Sequence, residues 1–246
     1  MTTASRSGEI RMDRKAVVAA MSVLVGLNGC GGSATPASGT AEPATEAASA
    51  MGAMPAGDGP IEPGTYRIPK SAWSDVDFTV TMPEGWTVQY GHIYLKPGAA
   101  GELGVAAEVV DSIYTDACAG VGALEDVGPS VDDLATALGQ QPGPVVSEPM
   151  DTALGGYPAV RLDLTVPEGL DLASCRLEGA GLQVWHNPAA DKYFVLLPDT
   201  VASVYIVDVD GQRQEFLTQY PVAASDGELA ALQTVLDSIV IESPAN

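Results

Sequence analysis

The sequence predicts an α+β domain, an antiparallel β-sheet flanked by helices, carried behind an export signal and a polar tether. Three observations lead there. Several segments alternate apolar and polar residues with the period of a half-buried strand, Asp210-Gly211 joins two of them as a hairpin, and two segments with helical spacing open on capping serines. Strands, then a helix, strands again and a last helix make a sheet with helices packed on it.

Residues 1–29 have the layout of an export signal. Arg11, Arg14 and Lys15 form a positive end, an apolar run of 12 residues from Ala16 to Leu27 follows, and Leu27-Asn28-Gly29-Cys30 closes it. The run is well short of the ~20 residues a spanning helix needs, so the segment is expected to be cleaved. Met12 is an alternative start to Met1, because it would leave a short basic head. Leu27-Asn28-Gly29-Cys30 resembles the bacterial lipobox, with an aliphatic residue three before a cysteine and a small one directly before it. In signals of that kind the thiol is acylated, with chains such as palmitate, and the cysteine becomes residue one. The resemblance therefore implies a lipid on Cys30 and an exported protein at the outer face of the cell membrane. Two acyl chains at ~0.8 kcal/mol per buried methylene make a durable anchor. An ordinary secretory signal with a chance cysteine is the alternative.

Residues 30–60, the cysteine and a linker, are rich in Ala, Gly, Ser, Thr and Pro, with no aromatic residue and no base. Such a stretch has little to bury, and random-coil scaling gives it a reach of roughly 30 Å as a flexible tether. Residues 61–246 then form a stretch of 186 residues, enough for one domain with a real core. The whole chain carries 11 Lys+Arg against 32 Asp+Glu, a net charge of −21 and a pI near 4.1. Removal of the first 29 residues takes four bases and two acids with it, leaving −23, of which 61–246 carries −20. So few cations exclude a nucleic-acid partner, which needs a basic stripe, and disfavour anionic headgroups, so the membrane is met through the lipid alone. A mean hydropathy of +0.13 excludes disorder throughout.

With Cys30 assigned to lipid, Cys118 and Cys175 remain as an even pair in an oxidising compartment and are expected to be bonded to each other. Closing that 58-residue loop contributes at most about 4 kcal/mol. Two buried free thiols are the alternative. A metal site is not expected, since neither cysteine has a C-x-x-C partner and the two histidines, His92 and His186, lie far apart.

Val76, Phe78, Val80 and Met82 alternate with polar neighbours, Pro83-Glu84-Gly85 turns the chain, and Trp86, Val88 and Tyr90 alternate again. Trp86 falls on the apolar face. Leu103 to Ile113 is one apolar run, and Val160, Leu162, Leu164 and Val166 alternate up to a second turn at Pro167-Glu168-Gly169. Leu182 to His186 and Tyr193 to Leu197 follow, then Ser203–Val209 and Gln212–Tyr220 around Asp210-Gly211. Ser130 is placed to cap a helix bearing Val131, Leu134, Ala135 and Leu138 on one face. Ser225 with Glu228 forms a capping box ahead of a stripe of Leu229, Leu232, Leu236 and Ile239.

The segments PGTYRIP, DFTVTMPEGW, GPSVDDLATAL, GGYPAVRLDLTVPEGLDLASC, YIVDVDGQRQEF and ELAALQTVLDSIVIE resemble a group of actinobacterial exported proteins over most of residues 61–243. That likeness implies a Mog1/PsbP-like fold, a central antiparallel sheet flanked by helices, and paired cysteines in these places. It supplies no catalytic or binding residue.

The candidate chemistry is sparse. Asp208-Val209-Asp210-Gly211 has the opening of a calcium loop, but neither register supplies the later glycine and the final Glu, so a hairpin turn is expected. Asp111, Asp116, Glu125, Asp126, Asp132 and Asp133 crowd around Cys118 without recognisable ligand spacing, as solvated loop and helix-start acids do. No G-x-S-x-G occurs, and His92 beside a turn and His186 at a strand end read as surface or strand-end residues. Trp73, in the irregular segment Lys70 to Asp75, is the aromatic hardest to bury and so the candidate interaction surface. No cofactor is implied. The expectation is a non-enzymatic, lipid-tethered binding or interaction module for an unidentified protein or small molecule. A carrier with an internal pocket is the second reading, and an envelope hydrolase the third.

Overall fold

A computed structural model of the chain describes residues 51–55, 57–120, 124–177, 180–187 and 189–243. The export signal, Cys30 and the tether up to residue 50 lie outside the described residues. In chain order the elements are β1 (Gly52–Ala53), β2 (Gly59–Pro60), β3 (Gly64–Ile68), β4 (Phe78–Met82), β5 (Thr87–Gln89), β6 (Ile93–Pro97), β7 (Glu102–Glu108), β8 (Ser112–Tyr114) and β9 (Leu124–Asp126). Helix α1 (Val131–Gln140) follows, then β10 (Val145–Val146), β11 (Met150–Leu154), β12 (Tyr157–Thr165), β13 (Leu182–Asn187), β14 (Lys192–Leu196), β15 (Thr200–Val209), β16 (Gln212–Pro221), α2 (Asp226–Asp237) and β17 (Val240–Ile241).

The expectation of one antiparallel sheet flanked by helices is corrected. Among the described residues the strands form three sheets. The central one runs β10-β12-β15-β16-β7-β6-β5-β2 with β11 also on β12, a second runs β1-β3-β4-β17, and a third runs β14-β13-β8-β9. The reason lies in the long central strands, which are apolar on both faces. In β15, Ala202 to Val207 are six consecutive buried residues, a pattern that demands cover on both sides of the sheet. Helices of 10 and 12 residues reach only ~15–18 Å and cannot supply it alone.

The two small sheets complete the cover. On one face Tyr205, Val207, Phe216, Val105 and Ala107 pack against the β3–β4 sheet and α2 through Tyr66, Phe78, Val80, Met82, Leu232 and Leu236. On the other face Leu162, Leu164, Val204, Ile206 and Leu217 pack against α1 and the β13–β8 sheet through Leu134, Leu138, Leu182, Val184 and Trp185. The apolar run Leu103–Ile113 is thus not one strand: β7 pairs in the central sheet and β8 in the third, with the break at Val109–Asp111.

Local signals carry through. Asp210 (φ 54°) and Gly211 (φ 89°) form the tight β15–β16 hairpin, and Asp208 Oδ1 accepts the Gly211 N–H at 2.7 Å. Ser130 and Ser225 each complete a capping box, with Asp133 and Glu228 respectively. Leu229 departs from the expected stripe: Leu232, Val235 and Leu236 are the buried residues of α2. Two short strands fall within the segment read as linker, β1 pairing with β3 and β2 with β5, and Met54 packs against the core.

Candidate functional site

Between β3 and β4 the chain Lys70–Val76 crosses one end of the central sheet, where β7 finishes and β6 and β16 begin. It is tied down mainly by polar contacts. Gln214 Oε1 accepts from the Asp75 N–H at 2.7 Å and from Ser74 Oγ at 3.1 Å, Gln212 donates to the Asp75 carbonyl, and Asn187 Nδ2 donates to the Ala72 carbonyl at 2.8 Å. Only Val76, at its C-terminal end, joins the apolar core. Half-buried Trp73 lies flat on His92, with ring centroids 3.3 Å apart and planes 8° from parallel.

His92 is placed by a turn in which Tyr90 (φ 53°) and Gly91 (φ 74°) both adopt left-handed backbone. The turn reverses the chain into β6 and drives the imidazole inward, to 4% exposure, so the expectation of a surface histidine is corrected. With Nδ1 donating to the Tyr90 carbonyl at 3.1 Å, Nε2 is the acceptor and faces Glu108 Oε1 at 3.9 Å. Burial pushes the imidazole down to about 4, against the pull of the Tyr90 carbonyl.

Glu108 and Glu215 are direct register partners on β7 and β16, so their side chains share a face, and both residues are buried. Arg213 binds Glu215 Oε1 through Nε at 2.6 Å and donates to the carbonyls of Val110 and Gly128. Burial pushes Glu215 up to about 7, with Arg213 opposing. Glu108 has no guanidinium. Burial and then the Glu215 charge push it up to about 8, and the nearby Trp185 indole N–H, which makes no hydrogen bond of ordinary geometry, opposes them only weakly. The cluster therefore sets one buried cation against two carboxyl groups and an imidazole. Outside it, Tyr90 is 62% exposed and Lys192 Nζ stands 6.0 Å from its ring centroid.

No protein-family model, no curated protein and no solved structure matches this chain.

The other sequence candidates fall elsewhere. Cys118 and Cys175 are joined, Sγ–Sγ 2.06 Å, and the Arg176 N–H donates to the Cys118 carbonyl beside the link. Trp86 is buried, and Trp185 is stacked on Phe194. His186 Nε2 lies 3.4 Å from exposed Asp191 and is not brought to the buried cluster. Of the acids around Cys118, Asp116 accepts the N–H groups of Cys118 and Ala119, and Asp133 completes the α1 cap. Among the described residues no three His, Cys, Asp or Glu side chains come together as metal ligands.

The clefts described are open to solvent. One of about 410 Å³ is lined by Val131, Asp132, Asp151, Val160, Asp208 and Arg213, and a neighbour of about 270 Å³ by Asp75, Asp111, Arg213 and Glu215. Sequence reasoning missed Glu108 and Glu215 as site residues. A glutamate set inside an apolar strand run, as in Leu103–Ile113 and around Phe216-Leu217, is the signal that could have found them.

Proposed function

We propose that the chain is an exported lipoprotein, held at the outer face of the membrane through Cys30, that works as a non-catalytic binding module with the Trp73 surface as its contact. The observation that carries this reading is the indole of Trp73, half-exposed on a polar-tied segment and stacked on His92, whose ring stands 6.4 Å from that of exposed Tyr90 with Lys192 beside it. Tryptophan and tyrosine present large, rigid, amphipathic contact area, and such residues dominate binding energy at interfaces. His92 lies beneath the Trp73 ring and Glu215 is held by Arg213, and no nucleophile is paired with either as a base. Export is supported by the lipobox residues, by the resemblance to exported actinobacterial proteins and by the Cys118–Cys175 bond, which persists in oxidising compartments.

Two measurements test the proposal. Cys30→Ala is expected to move the protein from the membrane fraction to the medium, and unchanged retention contradicts the anchor. Cross-linking on intact cells followed by mass spectrometry is expected to yield a partner with the native chain and to lose it with Trp73→Ala. The same cross-links in both strains would remove Trp73 from the contact.

A further inference from the structure

We infer that the Lys70–Val76 segment is a proton-controlled latch: with one proton held between His92 and Glu108 it lies closed over the end of the central sheet, and loss of that proton releases it. The latch adds control to the surface proposed above and does not depend on what binds there.

Its fastenings are weak enough to open. The segment holds the sheet end through hydrogen bonds donated by Asn187 and Gln212, one accepted by Gln214 from the Asp75 N–H, and one ring stack, with no fully buried apolar side chain before Val76. Elements of this kind, poor in buried apolar contact, open locally at a small fraction of the global stability.

Beneath the stack, the groups that face Glu108 come from each element around it. From β16 come Glu215 and its partner Arg213, from the turn before β6 comes His92, and from β13 comes the Trp185 indole. Asp111 adds negative potential at Glu215, and Asp75, on the latch itself, lines the cleft beside Glu215. Of the nearest lysines, Lys70 is paired with Asp75 at 3.3 Å and Lys192 sits over Tyr90.

The charge count follows from these neighbours. Once Glu215 gives up its proton, near 7, Arg213 balances it. One proton between His92 and Glu108 leaves that pair neutral overall, whether it rests as a carboxylic acid beside imidazole or as carboxylate beside imidazolium. Removing it leaves a second buried carboxylate with which, among the described residues, no lysine or arginine is paired. A buried unpaired charge is relieved most cheaply by water. Trp73 stacks on His92, whose Nε2 stands 3.9 Å from Glu108 Oε1, so water drawn to the carboxylate from the His92 side has to displace the stack, and lifting it exposes the indole. With Glu108 at about 8 and His92 at about 4, the closed window lies between those values, and a second proton on His92 below it leaves an imidazolium without a carboxylate.

The test is acrylamide quenching of tryptophan fluorescence on the full chain between about pH 5.5 and pH 9.5. Trp86 and Trp185 are each 1% exposed, so the accessible signal reports Trp73. The native chain is expected to show one of its three indoles gaining access, with a midpoint near pH 8. Glu108→Gln, which keeps the shape and stays neutral, is expected to abolish the step, and Trp73→Phe to remove the signal that reports it. A flat native profile, or the same step in Glu108→Gln, overturns the latch. Neither result bears on whether Trp73→Ala loses a cross-linked partner, so the two proposals fail separately.

Discussion

The two faces of the central sheet are built from the same strands and solve burial differently. The face under β3, β4 and α2 is closed by aromatic and aliphatic side chains, with Phe78 and Phe216 meeting edge to face at 5.2 Å. The face under β8, β13 and α1 carries an apolar core of similar kind, to which disulfide-bonded Cys175 belongs, but at one end it also buries Glu108 and Glu215. Side chains one residue apart, Glu215 and Phe216, belong to the two regimes. Among the described residues the first face buries no carboxyl group. The second makes part of its stability conditional on protons.

Substitutions on the two faces should therefore differ in how their cost depends on pH. Phe216→Ala removes a fully buried ring and is expected to cost ~3–5 kcal/mol equally at acid and alkaline pH. Arg213→Ala leaves Glu215 buried without its cation and is expected to cost ~3–5 kcal/mol at neutral pH, less in acid where Glu215 takes a proton. Denaturant unfolding at two pH values separates them, and parallel losses would erase the distinction.

The native chain is expected to lose stability as pH rises. Glu108 has a folded-state value of about 8, above its ordinary 4.5, so its contribution is complete below the ordinary value and is lost as pH climbs through the folded one. One proton released between about pH 5 and pH 8 corresponds to a ceiling of about 4 kcal/mol. His92 has the opposite sign: held at about 4, below its ordinary 6.5, it contributes fully above the ordinary value and loses that contribution as pH falls through the folded one. Glu215, pushed up to about 7, has the same sign as Glu108, so stability should be highest toward the acid end of the window between the Glu108 and His92 values, and Glu108→Gln should make the alkaline limb shallower in urea titrations. The smallest expected effect is shared by both faces: Ser130→Ala on α1 and Ser225→Ala on α2 each cost ~1 kcal/mol, with little difference between them in thermal melts.

What the sequence revealed was local. Alternation located β4, β12 and the β15–β16 hairpin, and the serine caps located both helices, because each signal is written in adjacent residues. The division into three sheets was not legible, since β7 and β8 sit in one apolar run yet pair with partners about a hundred and about seventy residues away. The same non-locality hid the site. Trp73 was singled out as hard to bury, but its seat on His92 depends on a turn set by Tyr90 and Gly91, and the Glu108–Glu215 pairing depends on strand register. β3 and β6 went unseen as strands because neither Gly64–Ile68, with two apolar side chains, nor Ile93–Pro97, with three apolar residues in a row, repeats the alternation that marked β4.

The most direct test of the contrast between the faces is the titration of the glutamate side-chain carboxyl carbons by 13C NMR, with Glu108→Gln to assign one resonance. The account predicts a carboxyl that titrates near pH 8 in the native chain and is missing from the variant. If every glutamate titrates in the ordinary carboxylate range, the buried pair holds no proton at neutral pH and the proton-conditional face does not exist.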